Sequence, residues 1–257
     1  PLTAPDRVRL IELPLNARLD DVVGGIDERS LSGNVKVRIK KGILAQADRN
    51  ILYIDEINLL SNEIIDAILD AAAQGSYTVR RGPVSAIYRA RFMLVGSMNP
   101  EEGKLRPQIL DRFGLRIIVR GLTEDSDRLE AYRRVQSYLA NPRMISAHFA
   151  EELLAINEEI KMAREILPRV SLPDEVTKPA INIIQKMGID SLRAEITWFE
   201  AARAYASAEG RMTVLTDDLR NVAPLALRLR RSQFMIDFFG KQKEEEEELD
   251  SLHDGLK

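Results

Sequence analysis

The chain has 257 residues, 45% of them hydrophobic and 30% charged, and a net charge of −3, as is typical of a globular protein with one large domain or two. It contains no cysteine, which excludes disulfides, thiolate metal sites and cysteine nucleophiles. No apolar run approaches the roughly 20 residues that span a bilayer. The net charge gives no reason to expect binding to nucleic acid. These properties favour a cytoplasmic protein with neither a membrane span nor a nucleic-acid partner.

The first half of the chain predicts an extended opening, then a strand and a helix. Residues 1–50 have no clear periodicity until GILAQADRN, which predicts a short helix leading into the buried strand Ile51–Ile54. Ser61 has the position of the next helix N-cap, and Gly75 comes where a glycine C-cap is typical. The apolar residues on one face of this helix are Ile64, Ile65, Ile68, Leu69 and Ala72.

A hairpin and two further apolar runs follow. Residues 77–92 predict a hairpin turned around Gly82-Pro83. The run at 92–95 predicts a second buried strand, which ends in the polar loop GSMNPEEG, and a third apolar run occupies 115–119. Buried strands that alternate with helices predict a parallel sheet, and ligands of such sheets bind beyond the carboxyl ends of the strands.

The second half of the chain predicts helices alone. They are expected over 124–140, 151–167, 174–187 and 191–209, and from Thr216 onwards. We therefore divide the chain into an α/β core at 1–125, a helical domain at 126–240 and an acidic tail at 241–257. The tail is dense in charge and is predicted to be disordered or a linker.

Two adjacent carboxylates, Asp55 and Glu56, follow the first strand in the stretch ILYIDEINLL. In phosphoryl transfer, an acidic residue at a strand end holds the Mg²⁺ that bridges the β- and γ-phosphates of the nucleotide. A neighbouring carboxylate can act as the general base that deprotonates the attacking water. The pair could equally be acidic residues that favour the N-terminus of the next helix, and these residues alone do not decide between the two.

Three more polar residues are candidates for the same site. Asn99 follows the second strand, and its amide could bind the attacking water or the γ-phosphate, although Asn-Pro is also a turn dipeptide. Arg112 could stabilise the transition state from a neighbouring subunit, or form a surface ion pair, for example with Asp111. Arg106 is a weaker candidate for that role. Arg193, in the first turn of a predicted helix, could reach bound phosphates or lie on the helix surface.

The order of these motifs resembles that of an AAA+ ATPase: ILYIDE, GSMNPEEG, LRPQILDRFG and SLRAE. Over most of residues 8–232, longer stretches resemble the magnesium-chelatase ATPase subunits: LPLNARLDDVVGGID, GILAQADRNILYIDEINLL, VGSMNPEEGKLRPQILDRFGL and SLRAEITWFEAARAYA. The resemblance implies an α/β AAA+ core of the P-loop NTPase type with a parallel sheet, incomplete on its N-terminal side. An all-helical lid domain would follow. ATP and Mg²⁺ are the implied cofactors.

The resemblance also implies a role for each candidate residue. Asp55 and Glu56 would be the Walker B pair, with Asp55 holding the Mg²⁺ of Mg·ATP and Glu56 activating water. Asn99 would be sensor 1. Arg112 would be the arginine finger for the adjacent subunit's nucleotide, and Arg193 would be sensor 2, reaching the nucleotide from the lid.

Family membership would further imply an assembly and a compartment. Such subunits form homo-oligomeric rings, expected to be hexamers, and work with a D-type AAA+ subunit and a large catalytic chelatase subunit. The large subunit inserts Mg²⁺ into protoporphyrin IX, the committed step toward chlorophylls. The implied compartment is the cytoplasm, or the plastid stroma in a phototrophic eukaryote.

The chain contains no phosphate loop of the form G-x-x-x-x-G-K-[ST]. The nearest segment, GSMNPEEGK, has too long a spacer and is followed by Leu105. In the family this loop lies upstream of the segment that matches residues 8–15, so this chain alone is expected to bind ATP poorly. The I-type motor is the first interpretation because all four catalytic positions are present. The alternatives are a D-type subunit, a MoxR-like chaperone ATPase, a cobalt chelatase subunit, or a structural ring member that contributes only Arg112.

Overall fold

The computed structural model describes residues 8–26, 39–82, 84–103 and 105–230. Contacts divide the chain into two compact units, Pro1–Arg112 and Phe113–Lys257. The end of the predicted helical domain, 231–240, and the predicted tail, 241–257, lie outside the described residues. Within those residues, no helix has the length and apolar character needed to cross a membrane.

The first unit contains a parallel sheet, a hairpin and short helices. In chain order its described elements are β1 (Leu10–Glu12), α1 (Leu19–Val23), α2 (Ile43–Gln46), β2 (Ile51–Ile54), a 3₁₀ turn (Ile57–Leu59), α3 (Asn62–Gln74), β3 (Ser76–Arg81), β4 (Val84–Arg89), β5 (Met93–Gly96) and α4 (Pro107–Arg112). Strands β1, β2 and β5 form a parallel sheet in the order β1-β2-β5. Strands β3 and β4 form a separate antiparallel hairpin. The predicted parallel sheet and hairpin are therefore confirmed, although Pro83 of the hairpin turn is not among the described residues.

Strand β2 is the centre of the sheet, as the apolar run ILYI predicted. Leu52 and Ile54 have no exposed surface. A parallel strand covered on both faces carries a continuous apolar run instead of an alternating one. The buried strand therefore delivers the residues that follow it, Asp55 and Glu56, to the edge of the sheet.

The two outer strands differ from their predictions. Strand β1 was not predicted, since a three-residue strand is too short for its periodicity to be recognised. The prediction that the strand at 92–95 is buried is wrong, because Met93 is 61% and Val95 is 40% exposed. Met93 and Val95 are alternate residues and point to the same face of β5, so within the described residues that face is not covered.

Helix α3 begins and ends where the sequence predicted. The Ser61 Oγ accepts a hydrogen bond from the Ile64 N–H over 3.4 Å, and Gly75 ends the helix in the left-handed conformation with φ 66°. The buried residues of the helix are Ile64, Ile65, Ile68, Leu69 and Ala71. Their spacing of three and four residues puts them on one face, which holds the helix against the core.

The second unit is helical in the part that the structure describes. Its elements are α5 (Asp125–Ala140), α6 (Pro142–His148), α7 (Ala150–Ile166), a 3₁₀ turn (Leu167–Arg169), α8 (Asp174–Lys186), α9 (Leu192–Ala208) and α10 (Thr216–Leu227). The predicted helices are confirmed. Helix α6 was missed, although Asn141-Pro142 marks its start: the Asn141 Oδ1 accepts a hydrogen bond from the Met144 N–H over 3.1 Å.

The two compact units meet after Arg112, whereas the sequence predicted a domain boundary at 125. The segment that opens the second unit explains the difference. Residues 115–119 form no strand, and Ile117 is 72% exposed. Arg116 between them is buried, and its backbone N–H donates to the Leu225 carbonyl over 2.8 Å. This bond joins the segment to α10, so the contacts place the boundary at the end of α4.

The core of the second unit lies around α9. Ala194, Trp198, Ala202 and Ala206 are spaced four residues apart and form a buried stripe on this helix. The small alanine side chains let α10 pack closely against it. The Trp198 indole N–H donates to the Leu219 carbonyl over 2.7 Å, which satisfies the one polar group that this large side chain buries.

A buried ion pair joins the start of α10 to the preceding loop. Asp218 is 1% exposed, and its carboxylate accepts hydrogen bonds from the Arg211 guanidinium at 2.5 and 2.6 Å and from the Leu215 N–H at 2.8 Å. The Arg211 guanidinium lowers the pKa of Asp218 from its ordinary value of 3.8. The carboxylate is therefore ionised, and its charge is compensated within the fold.

Asp218→Asn is expected to destabilise the second unit by about 3 kcal/mol at pH 7, because it leaves Arg211 without its partner. The pKa of Asp218 is lower in the folded state than in the unfolded state. Its contribution to the free energy of unfolding is therefore complete above the unfolded-state pKa and is lost as the pH falls through the folded-state pKa. The variant should therefore lose less stability in acid than the parent does. Urea denaturation followed by Trp198 fluorescence at pH 7 and pH 3 measures both effects. The exposed neighbour provides a matched control, Asp217→Asn, and equal stability of the two variants at pH 7 would contradict this role of Asp218.

Candidate active site

The candidate site lies at the carboxyl ends of β2 and β5. The strand register pairs Ile54 with Gly96, so the next residue on each strand, Asp55 and Ser97, come side by side. The Ser97 N–H donates to the Ile54 carbonyl, and the Ile57 N–H donates to the Ser97 carbonyl, both over 2.9 Å. These bonds continue the strand pairing beyond the strand ends and fix the start of both loops.

Asp55 presents an exposed carboxylate at this point. Its Oδ1 accepts hydrogen bonds from the Ser97 hydroxyl at 2.5 Å and from the Tyr53 hydroxyl at 2.9 Å. These hydroxyls, Ser97 first, lower the pKa of Asp55. Asp55 is therefore an ionised carboxylate whose orientation is set by two donors.

Glu56 has a left-handed backbone, with φ 50° and ψ 51°, a conformation that few residues other than glycine adopt. Its N–H donates to the Ser97 Oγ over 3.0 Å. The carboxylate of Glu102 has the largest part in raising the pKa of Glu56, followed by partial burial and by Asp55. Compared with an ordinary glutamate, Glu56 therefore holds a proton more readily.

Asn99 forms the turn that brings Glu102 to this place. The Asn99 Oδ1 accepts a hydrogen bond from the Glu101 N–H at 3.2 Å, and its backbone carbonyl accepts one from the Glu102 N–H at 3.1 Å. The turn-forming role that an Asn-Pro dipeptide suggests is thus present in the structure. Contact of Asn99 with a nucleotide stays a prediction.

Arg112 lies at the end of α4 and forms an ion pair with α3. The Nη1 of Arg112 is 2.6 Å from the Asp70 Oδ1, whereas the sequence had suggested Asp111 as the partner. Arg106 forms a similar pair with Asp66 over 3.0 Å. All four of these side chains are at least a third exposed. Asp70 was not foreseen because it precedes Arg112 by 42 positions.

Arg193 lies in the second unit, in the first turn of α9, and its side chain is exposed. The predicted acidic pair and Asn99 belong to the first unit, as does Arg112. The structure thus collects the acidic pair and the Asn99 loop at one edge of the sheet. The predicted reach of Arg193 to the same nucleotide stays a prediction.

Sequence reasoning missed Tyr53, Ser97 and Glu102. A signal for Tyr53 was present, since alternate strand residues point to the same face and Tyr53 precedes Asp55 by two positions. Ser97 could have been found from its position directly after the second strand, once the two strands were paired in register. Nothing in the sequence pattern indicated Glu102, because the turn around Asn99 determines where its carboxylate lies.

The donor set at the site fits Mg²⁺ bound together with phosphates. Sites of this kind hold Mg²⁺ with one or two carboxylates and fill the remaining positions with phosphate oxygens and water. Asp55 supplies one ionised and exposed carboxylate. Across the described parts of the chain, no group of three or more His, Cys, Asp or Glu side chains could hold a metal ion without such help.

Comparison with known proteins assigns the family. A family profile for magnesium chelatase, subunit ChlI, matches residues 24–108, and a profile for the AAA lid domain matches residues 178–252. The magnesium-chelatase subunit ChlI homolog of Methanocaldococcus jannaschii is 42% identical over 247 residues, which are 95% of this chain and 67% of that relative. The chain belongs to the magnesium-chelatase ChlI family.

Other relatives support the same assignment within the family. The magnesium-chelatase 38 kDa subunit of Acidiphilium rubrum is 44% identical over 230 residues, 88% of this chain and 66% of that relative. The corresponding subunit of Rhodobacter capsulatus is 43% identical over 225 residues, 86% of this chain and 64% of that relative. The ChlI match favours the I-type interpretation over the D-type one. The chain spans about two thirds of the length of these ChlI-family relatives.

A solved structure supports the fold. The crystal structure of a candidate ATPase from Cytophaga hutchinsonii ATCC 33406 aligns with a TM-score of 0.59 at 22% identity, over 86% of this chain and 68% of that one. Together with the parallel sheet and the lid match, this likeness confirms the predicted fold class, an AAA+ α/β core followed by a helical lid.

Proposed function

We propose that the chain is the larger part of the ATPase motor subunit of magnesium chelatase. The complete subunit hydrolyses Mg·ATP and thereby drives the insertion of Mg²⁺ into protoporphyrin IX by a separate large catalytic subunit, in chlorophyll or bacteriochlorophyll biosynthesis. One observation carries the proposal. In a chain of the ChlI family, the adjacent carboxylates of Asp55 and Glu56 stand together beyond the carboxyl end of the central strand, where parallel sheets bind their ligands.

The residues of this edge have separate tasks in hydrolysis. Asp55 would hold the Mg²⁺, which would supply positive charge to offset that of the nucleotide's phosphates. Glu56 takes a proton from the attacking water, and the neighbouring Glu102 makes it a stronger base by raising its pKa. The Asn99 Oδ1 accepts a hydrogen bond from the Glu101 N–H. The NH₂ group of Asn99 is therefore the donor for the water or the γ-phosphate.

The two arginines act on the nucleotide from outside this edge. Arg112 reaches the γ-phosphate bound by the adjacent subunit, and to do so its guanidinium leaves Asp70. That exchange is inexpensive, since an exposed ion pair contributes only about 0.2–1 kcal/mol. Arg193 reaches the phosphates of its own subunit from the lid.

The assembly in which these residues act is a homo-oligomeric ring, expected to be a hexamer. A D-type AAA+ subunit and the large catalytic subunit are its partners, in the cytoplasm or in the plastid stroma. An arginine finger that acts in trans needs a neighbouring subunit, and a ring gives such a neighbour to every site. Family membership and the position of Arg112 at the exposed end of α4 support this part of the proposal.

The phosphate loop of the motor is supplied from outside residues 1–257. Among the described residues β5 is the edge strand of the order β1-β2-β5, so its outer edge is open for pairing with a further strand. A parallel strand paired with the free edge of β5 would end beside Ser97, with Asp55 on the other side of β5. A loop at its carboxyl end would hold phosphates at the same edge of the sheet as the acidic pair. The greater length of the relatives agrees with this arrangement.

Calorimetric titration with ATP and Mg²⁺ tests the proposal on two proteins, residues 1–257 and a protein extended N-terminally through the phosphate loop. We expect the extended protein to bind ATP in a Mg²⁺-dependent way. Residues 1–257 should bind at least about 100-fold more weakly, because they lack several charge-assisted hydrogen bonds of about 2 kcal/mol each. Tight, Mg²⁺-dependent binding by residues 1–257 alone would contradict this arrangement. Failure of the extended protein to bind or hydrolyse ATP would contradict the proposed function.

A further inference from the structure

Ser97 contacts both members of the acidic pair through a single hydroxyl. Its Oγ donates to the Asp55 Oδ1 at 2.5 Å and accepts from the Glu56 N–H at 3.0 Å. We propose that Ser97 is a positioning residue of the ATP site, which aligns the Asp55 carboxylate for the metal and holds the Glu56 backbone in place. This inference rests on the proposed function.

The hydrogen-bonding capacity of a serine hydroxyl makes the two contacts interdependent. A hydroxyl has one O–H donor and can accept through its lone pairs. Here the Ser97 O–H donates to the Asp55 carboxylate, and a lone pair of the same oxygen accepts the hydrogen bond from the Glu56 N–H. An N–H bond to the oxygen polarises the hydroxyl and strengthens its bond to the carboxylate. The carboxylate and the neighbouring backbone are thus held by one atom.

The sheet determines the position of that hydroxyl. The backbone N–H and carbonyl of Ser97 are bonded to Ile54 and Ile57, one residue before and one residue after the acidic pair. The register between β2 and β5 therefore sets Ser97 beside Asp55, although Asp55 precedes it by 42 positions in the chain. Any shift of the loop that starts at Ser97 and continues to Asn99 would move the carboxylate of Asp55 with it.

The backbone of Glu56 explains why such support is needed. A left-handed conformation at a residue other than glycine costs free energy and persists only where the surroundings determine it. The bond from the Glu56 N–H to the Ser97 Oγ and the bond from the Ile57 N–H to the Ser97 carbonyl lie on either side of this residue. Without the hydroxyl, the Glu56 peptide loses the first of these bonds, and the general base can turn away from the site.

Ser97→Ala and Ser97→Thr in the protein that includes the phosphate loop test the proposal. We expect Ser97→Ala to lower kcat by about 10- to 100-fold and to raise the Mg²⁺ concentration needed for half-maximal activity, since loss of such support typically costs this much. The KM for ATP at saturating Mg²⁺ should change little. Ser97→Thr retains a hydroxyl and should restore most of the activity. Ser85→Ala, on the exposed face of β4, is the matched control and should behave as wild type.

A second measurement on residues 1–257 keeps the test independent of activity. Hydrogen exchange of the Glu56 amide should be faster in Ser97→Ala than in the parent and slow again in Ser97→Thr. The proposal would be overturned if Ser97→Ala hydrolysed ATP and exchanged its Glu56 amide at wild-type rates. It would also be overturned if Ser97→Thr lost as much activity as Ser97→Ala.

Asp55→Asn separates this proposal from the proposed function. If Asp55→Asn leaves the Mg²⁺ dependence unchanged, the proposed function is overturned and the role of Ser97 in the site falls with it. If Asp55→Asn loses Mg²⁺-dependent activity while Ser97→Ala keeps it, only the role of Ser97 is overturned.

Discussion

Glu56→Gln in the phosphate-loop-containing protein is expected to lower kcat for ATP hydrolysis by about 10²- to 10⁴-fold, the usual contribution of a general base. The amide of glutamine has nearly the shape of the carboxylate but does not accept a proton from water. The Asp55 carboxylate and its two hydroxyl donors are untouched by the change. The affinity for Mg·ATP should therefore stay close to that of the parent. Phosphate release at saturating ATP and equilibrium binding of a fluorescent nucleotide measure the two quantities separately.

Glu63→Gln is the matched control for this experiment. Glu63 is exposed in the first turn of α3, where its charge interacts favourably with the helix N-terminus by about 0.3–1 kcal/mol. The control should lose some stability and keep its turnover. Wild-type turnover in Glu56→Gln would contradict the motor role and favour a structural ring member, which needs only Arg112.

Arg112→Ala is expected to lower kcat by about 10³-fold or more, the contribution of an arginine finger to phosphoryl transfer. The guanidinium stabilises charge that develops on the γ-phosphate in the transition state, and an alanine leaves that charge unpaired. Nucleotide affinity should change much less than the rate, because the effect concerns the transition state. The measurement is the rate of ATP hydrolysis by assembled rings at saturating nucleotide.

Arg106→Ala is the control that separates catalysis from packing. Arg106 and Arg112 each form one exposed ion pair with α3, to Asp66 and Asp70 respectively. Either substitution therefore removes one such pair, worth about 0.2–1 kcal/mol. Arg106→Ala should hydrolyse ATP almost as fast as the parent. If both variants lose activity equally, the loss belongs to the contact between α3 and α4, and the arginine-finger role of Arg112 is contradicted.

The sequence predicted the elements whose determinants are local. Strand β2 is a run of four apolar residues, and α3 carries its start and stop signals at Ser61 and Gly75 together with an apolar face of helical period. The helices of the second unit follow from similar patterns. The acidic pair was located correctly at a strand end because the strand and the pair are adjacent in sequence.

What the sequence did not predict depends on partners that are distant along the chain. Burial of β5 requires elements packed on both faces of the strand, which an apolar run does not reveal, and Met93 is exposed. The contact of Ser97 with Asp55 is set by the pairing of two strands. The ion pair between Arg112 and Asp70 is set by the packing of two helices. Residue types alone do not show which residues of two strands or two helices face each other, so these contacts could be identified only from the structure.

Mixing Glu56→Gln subunits with Arg112→Ala subunits tests most directly whether the acidic pair and the arginine act on one nucleotide from two subunits. Each variant alone should be almost inactive. In a mixed ring, an Arg112→Ala subunit keeps its Glu56 and receives Arg112 from a Glu56→Gln neighbour, so a complete site forms between them. We expect activity to rise well above that of either variant and to be greatest near equal amounts of the two. A mixture no more active than the sum of its parts would contradict a shared site between subunits.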